Sequence, residues 1–158
     1  MFQNTRQVIL KVTRGCNLRC KYCYVFHKDD YDDEAMTAET LERTIRRWFT
    51  ETNLGDTDIT YFDILDKGSI DSRKKAKNWN PIELVFHGGE ALKIGKEKFA
   101  AFCKIAKQLA REYGKMLTLS VQTNGTLIDA EPIAIFRKYP INPAVSFDTF
   151  RHASATRC

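Results

Sequence analysis

A chain of 158 residues with net charge +5 is one domain or part of one. No apolar run approaches the length of a membrane span, and no basic-plus-apolar leader precedes Val8, so a membrane anchor is not expected. The positive charge is scattered among acids. Only Arg73-Lys74-Lys75-Ala76-Lys77 forms a basic run, which reads as a solvated loop, so a nucleic-acid partner is not expected.

Val8 to Thr13 is β-branched and apolar, the pattern of a buried strand. It leads into CNLRCKYC, residues 16–23, where Cys16, Cys20 and Cys23 stand at spacings of four and three. Aromatic residues interleave and follow: Tyr22, Tyr24 and Phe26. Three thiolates on one short loop can hold a metal centre. A structural zinc site takes four ligands and usually pairs cysteines at two-residue gaps. A [4Fe–4S] cube also takes four ligands, so three cysteines leave one iron open to a small molecule. Free thiols are the third reading. There are five cysteines in all, and a reducing cytoplasm suits them. Cys103 falls on the apolar stripe of a helix, and Cys158 is the last residue; either is a formal candidate for a fourth ligand.

An acidic patch follows, Asp29 and Asp30 to Asp32, Asp33 and Glu34. Thr37 then caps a helix whose inward stripe is Leu41, Ile45, Trp48 and Phe49. Residues 53–80 carry turn residues, the basic run and a short apolar stretch, Ile59 to Leu65. They read as an insertion between structural units, partly flexible. Beyond Pro81, Ile82 to Phe86 is a second buried strand, ending in His87-Gly88-Gly89-Glu90. A helix from about Lys96 to Tyr113 turns Phe99, Phe102, Cys103, Ala106 and Leu109 inward and stops at Gly114. Leu117 to Val121 is a third strand, ending in Gln122-Thr123-Asn124-Gly125-Thr126. Asp129 caps a helix to about Lys138, and Ala144 to Phe147 form a fourth strand with Asp148 at its end.

Repeated strand–helix units imply an α/β fold with a parallel sheet and right-handed crossovers. Each strand ends in a polar cluster, and in such sheets those ends share the rim where ligands bind. GGE reads either as a glycine edge that a ligand can approach closely or as a plain strand-to-helix turn, and QTNG either as amide groups of Gln122 and Asn124 offered to a ligand or as an ordinary turn. His87 reads equally as a ligand-facing group or a strand-end histidine, and Tyr22 as a core residue or a ring beside a ligand.

The C-x3-C-x2-C spacing after a strand, with GGE at 88–90, QTNG at 122–125 and S-x-D at Ser146 and Asp148, resembles the radical S-adenosylmethionine superfamily. The combination CNLRCKYCYVF, FHGGEAL and QTNGTL is most similar to its peptide- and protein-maturating, SPASM-type members. Ala91 stands where the family commonly has proline, and Thr149 where it often has glycine. The resemblance implies a partial (β/α)6 TIM-like barrel, of which about the first four βα units are present. It implies that Cys16, Cys20 and Cys23 bind a [4Fe–4S] cluster whose open iron chelates S-adenosylmethionine. Tyr22, Gly88, Gly89, Glu90, Gln122, Asn124, Ser146 and Asp148 then contact the cofactor, with Glu90 opposite its ammonium and Tyr22 beside its adenine. Reductive cleavage gives a 5′-deoxyadenosyl radical that takes hydrogen from a peptide or protein side chain. An electron donor such as flavodoxin or ferredoxin is implied. A barrel of this kind needs about 200 residues or more, so the whole of residues 1–158 reads as an N-terminal piece of a longer core domain. Two alternatives stand beside this one. One is a non-enzymatic metal- or cluster-binding α/β module; the other is a radical enzyme acting on a small metabolite or nucleotide.

Overall fold

The computed structural model describes residues 4–23, 33–56 and 80–147. The expected features at Tyr24, Phe26, Asp29 to Asp32, Ile59 to Leu65, the basic run, Asp148 and Cys158 lie outside the described residues.

The chain alternates strand and helix: β1 (Gln7–Thr13), α1 (Ala38–Glu51), β2 (Ile82–Gly88), α2 (Lys96–Glu112), β3 (Leu117–Thr123), α3 (Ala130–Lys138) and β4 (Ile141–Val145). The four strands form one parallel sheet in chain order, β1-β2-β3-β4. Right-handed crossovers between sequential neighbours put every helix on the same face. Neighbouring helices accordingly touch, α1 against α2 and α2 against α3.

This arrangement buries the first two strands on one face only. Along β1, Val8, Leu10 and Val12 are buried under the helices while Ile9 is 54% exposed on the other face. Along β2, Ile82, Leu84 and Phe86 are buried, with Glu83, Val85 and His87 partly open between them. Side chains alternate across a strand, so covering one face buries every second residue. The open face carries a polar row: Gln7 Nε2 donates to Glu83 (2.6 Å), and Ser120 donates to the same carboxyl.

The helices form where the sequence places their caps. Thr37 Oγ1 accepts from Thr40 N–H (3.1 Å), and Asp129 Oδ1 accepts from Glu131 N–H (2.9 Å). The predicted inward stripes of α1 and α2 are all buried. Phe86, Phe99 and Phe136 stack edge to face at 5.3 and 6.2 Å and join β2, α2 and α3. Gly114, at φ 57°, turns the chain out of α2 so that Lys115 N–H reaches Ala110 O (2.8 Å). Lys115 is itself buried, and its ammonium donates to Thr52 O, Leu54 O and Asp56. Residues 53–56 are thereby tied to the body of the sheet.

Two local expectations are corrected. The fourth strand runs over 141–145 rather than 144–147. A four-residue 3-10 turn, Ala91–Ile94, also separates β2 from α2. Among the described residues no helix is long and apolar enough to cross a membrane.

Candidate metal and cofactor site

The carboxyl-terminal ends of the strands bring the cysteine loop, the GGE turn and the QTNG loop to one rim. A register shift between Lys11 and Thr13 bulges β1 just before its exit, so that Thr13 stands beside Gly88. The two exits are pressed together. Gly89 N–H donates to Thr13 O (3.1 Å) and Glu90 N–H to Gly15 O (2.8 Å). A Cβ on Gly88 would strike Thr13 O, and one on Gly89 would strike the carbonyl oxygens of Arg14 and Gly15. The glycines of GGE are thus required by the chain's own loop packing.

Glu90 is fully buried. Its Oε1 accepts from Leu92 N–H (3.1 Å) and Thr123 Oγ1 (2.8 Å), and its Oε2 accepts from Asn124 N–H (2.7 Å). Within the chain the carboxyl is met by these three donors. It caps the 3-10 turn and clamps the QTNG loop to it.

That loop in turn grips the cysteine loop. Asn124 Nδ2 lies 3.0 Å from Asn17 Oδ1 and 3.8 Å from Cys16 Sγ, and Asn17 Nδ2 donates to Thr126 Oγ1 (2.8 Å). Cys16 is buried, while Cys20 and Cys23 are half-buried in a turn closed by Cys23 N–H on Cys20 O (3.1 Å). Tyr22 is 54% exposed, which removes its core reading. Gln122 Nε2 donates to Ser146 Oγ (2.8 Å), so those two expected cofactor contacts meet at the carboxyl-terminal ends of β3 and β4. His87 Nδ1 accepts from Gly88 N–H (2.7 Å), a strand-end role. A groove of about 570 Å³ opens beside this rim, between Asn17, Lys93, Thr126 and the first turns of α2 and α3. There Lys96 pairs with Glu131 and Asp129, which holds the Asp129 carboxyl below its usual range.

Three thiols without a fourth ligand on the same loop fall one short of a structural zinc site and leave one position of a four-ligand centre open. Cys16, Cys20 and Cys23 are all thiols outside any disulfide. Cys103 is no fourth ligand: it is fully buried in α2, and burial pushes its thiol up to about 12. Among the described residues no three of His, Cys, Asp and Glu are gathered closely enough to hold a metal ion. The thiols therefore share a loop without yet converging.

Thr123, Asn17 and Thr126 belong to this network, and sequence reading did not single them out. Only Thr123 left a signal: it follows Leu117, Leu119 and Val121 on the inward register of β3, and a hydroxyl there requires a partner.

A one-sided parallel sheet with three cysteines leaving its first strand defines an α/β protein whose polar loops gather at the carboxyl-terminal rim of the sheet. The family model described as the Radical SAM superfamily matches residues 10–153, and the chain belongs to that superfamily. It is 30% identical over 128 residues to the serine-type anaerobic sulfatase-maturating enzyme of Klebsiella pneumoniae, covering 79% of this chain and 25% of that enzyme. It is 28% identical over 149 residues to an uncharacterised protein of Methanocaldococcus jannaschii, covering 94% of this chain and 40% of that protein. The solved structure of native anSMEcpe with bound AdoMet shares the fold at TM-score 0.68 and 22% identity, over 96% of this chain and 34% of that one. The form with bound AdoMet and Cp18Cys peptide gives TM-score 0.67 at 23% identity, over 96% of this chain and 33% of that one. The chain thus spans about a quarter to two fifths of these relatives.

Proposed function

We propose that this chain is the cluster- and cofactor-binding part of a radical S-adenosylmethionine enzyme acting on a peptide or protein side chain. The observation that carries the reading is the cysteine loop itself. It leaves the rim of a one-sided parallel sheet and is bonded to the QTNG loop through Asn17 and Asn124. Cys16, Cys20 and Cys23 would hold three irons of a [4Fe–4S] cluster. When bound, the cluster and S-adenosylmethionine supply the reductive cleavage that yields a hydrogen-abstracting 5′-deoxyadenosyl radical.

The chain's own groups position and shield. Glu90 fixes the QTNG loop against the GGE turn, and the two glycines let that turn lie against the start of the cysteine loop. Gln122 and Ser146 offer amide and hydroxyl groups at the rim, and Tyr22, exposed on the cysteine loop, is the proposed cover for the adenine ring. Asp148 is proposed as a further cofactor contact by resemblance alone. The peptide substrate is supported by the sulfatase-maturating relative and by the Cp18Cys peptide bound in a structure of the same fold. A flavodoxin or ferredoxin is the proposed reductant.

Anaerobic reconstitution with iron and sulfide tests this. The expected result is about four irons per chain, lost when the three cysteines become alanine. With S-adenosylmethionine and a strong reductant, 5′-deoxyadenosine should form. Zinc taken up in preference to iron overturns the reading. A loaded cluster without that product reduces the chain to a binding module.

A further inference from the structure

Asn124 is where the three loops meet. Its backbone N–H is held by Glu90 Oε2 at 2.7 Å. Its side-chain Oδ1 accepts from Thr126 N–H (3.0 Å) and Thr126 Oγ1 (2.6 Å). A backbone N–H is a donor only, so this contact fixes which end of the amide is oxygen. The NH2 end must then face the other way. There it meets Asn17 Oδ1 at 3.0 Å and Cys16 Sγ at 3.8 Å. Thr126 Oγ1 closes the ring by accepting from Asn17 Nδ2 at 2.8 Å. Cys16 is the most buried of the three motif thiols, and its sulfur also takes Leu18 N–H at 3.4 Å.

We propose that Asn124 is a positioning residue for Cys16, locking the register of the cysteine loop and donating an N–H to the ligating sulfur. The proposal rests on the cluster reading above, and it assigns the Asn124 amide to the protein's own thiol rather than to S-adenosylmethionine. Hydrogen bonds to cluster sulfurs disperse the charge added on reduction and so raise the potential. The loop-locking role needs no cluster, because all the bonds that carry it are within the chain.

The two roles separate experimentally on the 158-residue chain. Asn124→Leu keeps the approximate bulk and removes donor and acceptor together. Asn17→Ala breaks the loop-to-loop bond but leaves the Asn124 N–H facing Cys16. In the metal-free chain, hydrogen–deuterium exchange over residues 15–20 should accelerate at least severalfold in both variants. After reconstitution, Asn124→Leu should lower the equilibrium constant for cluster reduction up to about tenfold, which for one electron is about 59 mV. Asn17→Ala should leave it within about twofold of the parent. Where leucine disturbs folding, seen as loss of helical circular dichroism, Asn124→Ala repeats the test without added bulk. Unchanged exchange in both variants overturns the lock. A potential unmoved by Asn124→Leu overturns the sulfur contact. Should the parent itself take up no iron, the cluster reading fails and takes the sulfur role with it, while exchange still decides the lock.

Discussion

Three hydrogen-bond donors converge on the Glu90 carboxyl from two loops, and no solvent reaches it. Glu90→Gln nearly preserves its shape but replaces one acceptor oxygen by an NH2 aimed at a chain donor. Leaving such a buried donor unsatisfied costs about 2–3 kcal/mol. Urea unfolding of Glu90→Gln should show that loss, and exchange over the cysteine loop should rise with it because Asn124 hangs from the same carboxyl. A midpoint unchanged from the parent would mean that water or a shifted loop replaces the clamp. Cys103 gives a second test, through pH. Burial raises its thiol from an ordinary 9.0 to about 12, with Lys107 pulling weakly the other way. Between those values the unfolded chain has released a proton that the folded chain keeps. Stability from this group is therefore complete below pH 9 and falls as pH rises, by about 1.4 kcal/mol per pH unit. Cys103→Ala adds a constant cavity penalty and removes that slope. The stability gap between parent and variant should narrow steadily above pH 9, and a parallel pair of curves would refute the buried-thiol account.

The strands and helices are held by signals of short range, and most of those were legible. The strand character of β1 and β3, the stripes of α1 and α2, and the caps Thr37 and Asp129 each depend on neighbours a few residues away. β4 was misplaced because only Ile141 in it is buried, and Asn142 and Pro143 read as a loop. In the site the three cysteines announced themselves by spacing. The work of Glu90 did not, because its partners Thr123 and Asn124 lie 33 and 34 residues away and meet it only when β2 and β3 pair. Asn17 was hidden for the same reason, its partner Asn124 being 107 residues distant. The press of one loop on another predicts the outcome at Gly89. A methyl there would collide with backbone oxygens of Arg14 and Gly15, which cannot rotate aside as a side chain would. Overpacking of this kind costs about 1–3 kcal/mol. Gly89→Ala should lower the melting temperature and also reduce iron uptake on reconstitution, since relief requires moving the start of the cysteine loop. Lower stability with full iron uptake would show that the two exits move independently.

Across the whole molecule the sheet is asymmetric, with helices on one face and a polar, partly open second face. Among the described residues β1 and β4 each have one strand neighbour. At the β4 side Val145 is 49% exposed and Phe147 76% exposed, with Ile133 38% exposed on α3. Apolar side chains beside a free strand edge favour association. Two features oppose it: a net charge of +5, and Pro143, which has no N–H to give a new strand. Proline blocks ladder formation but does nothing to cover side chains, so contact through Phe147 should dominate over strand addition. The 158-residue chain should then associate reversibly in sedimentation velocity. Raising salt should strengthen the association, because screening weakens the repulsion between like-charged copies. Phe147→Glu should abolish it, whereas Pro143→Val, which restores an N–H to the edge, should deepen it. Association that survives Phe147→Glu but weakens with salt would assign the contact to charged groups and remove the β4 edge from the account.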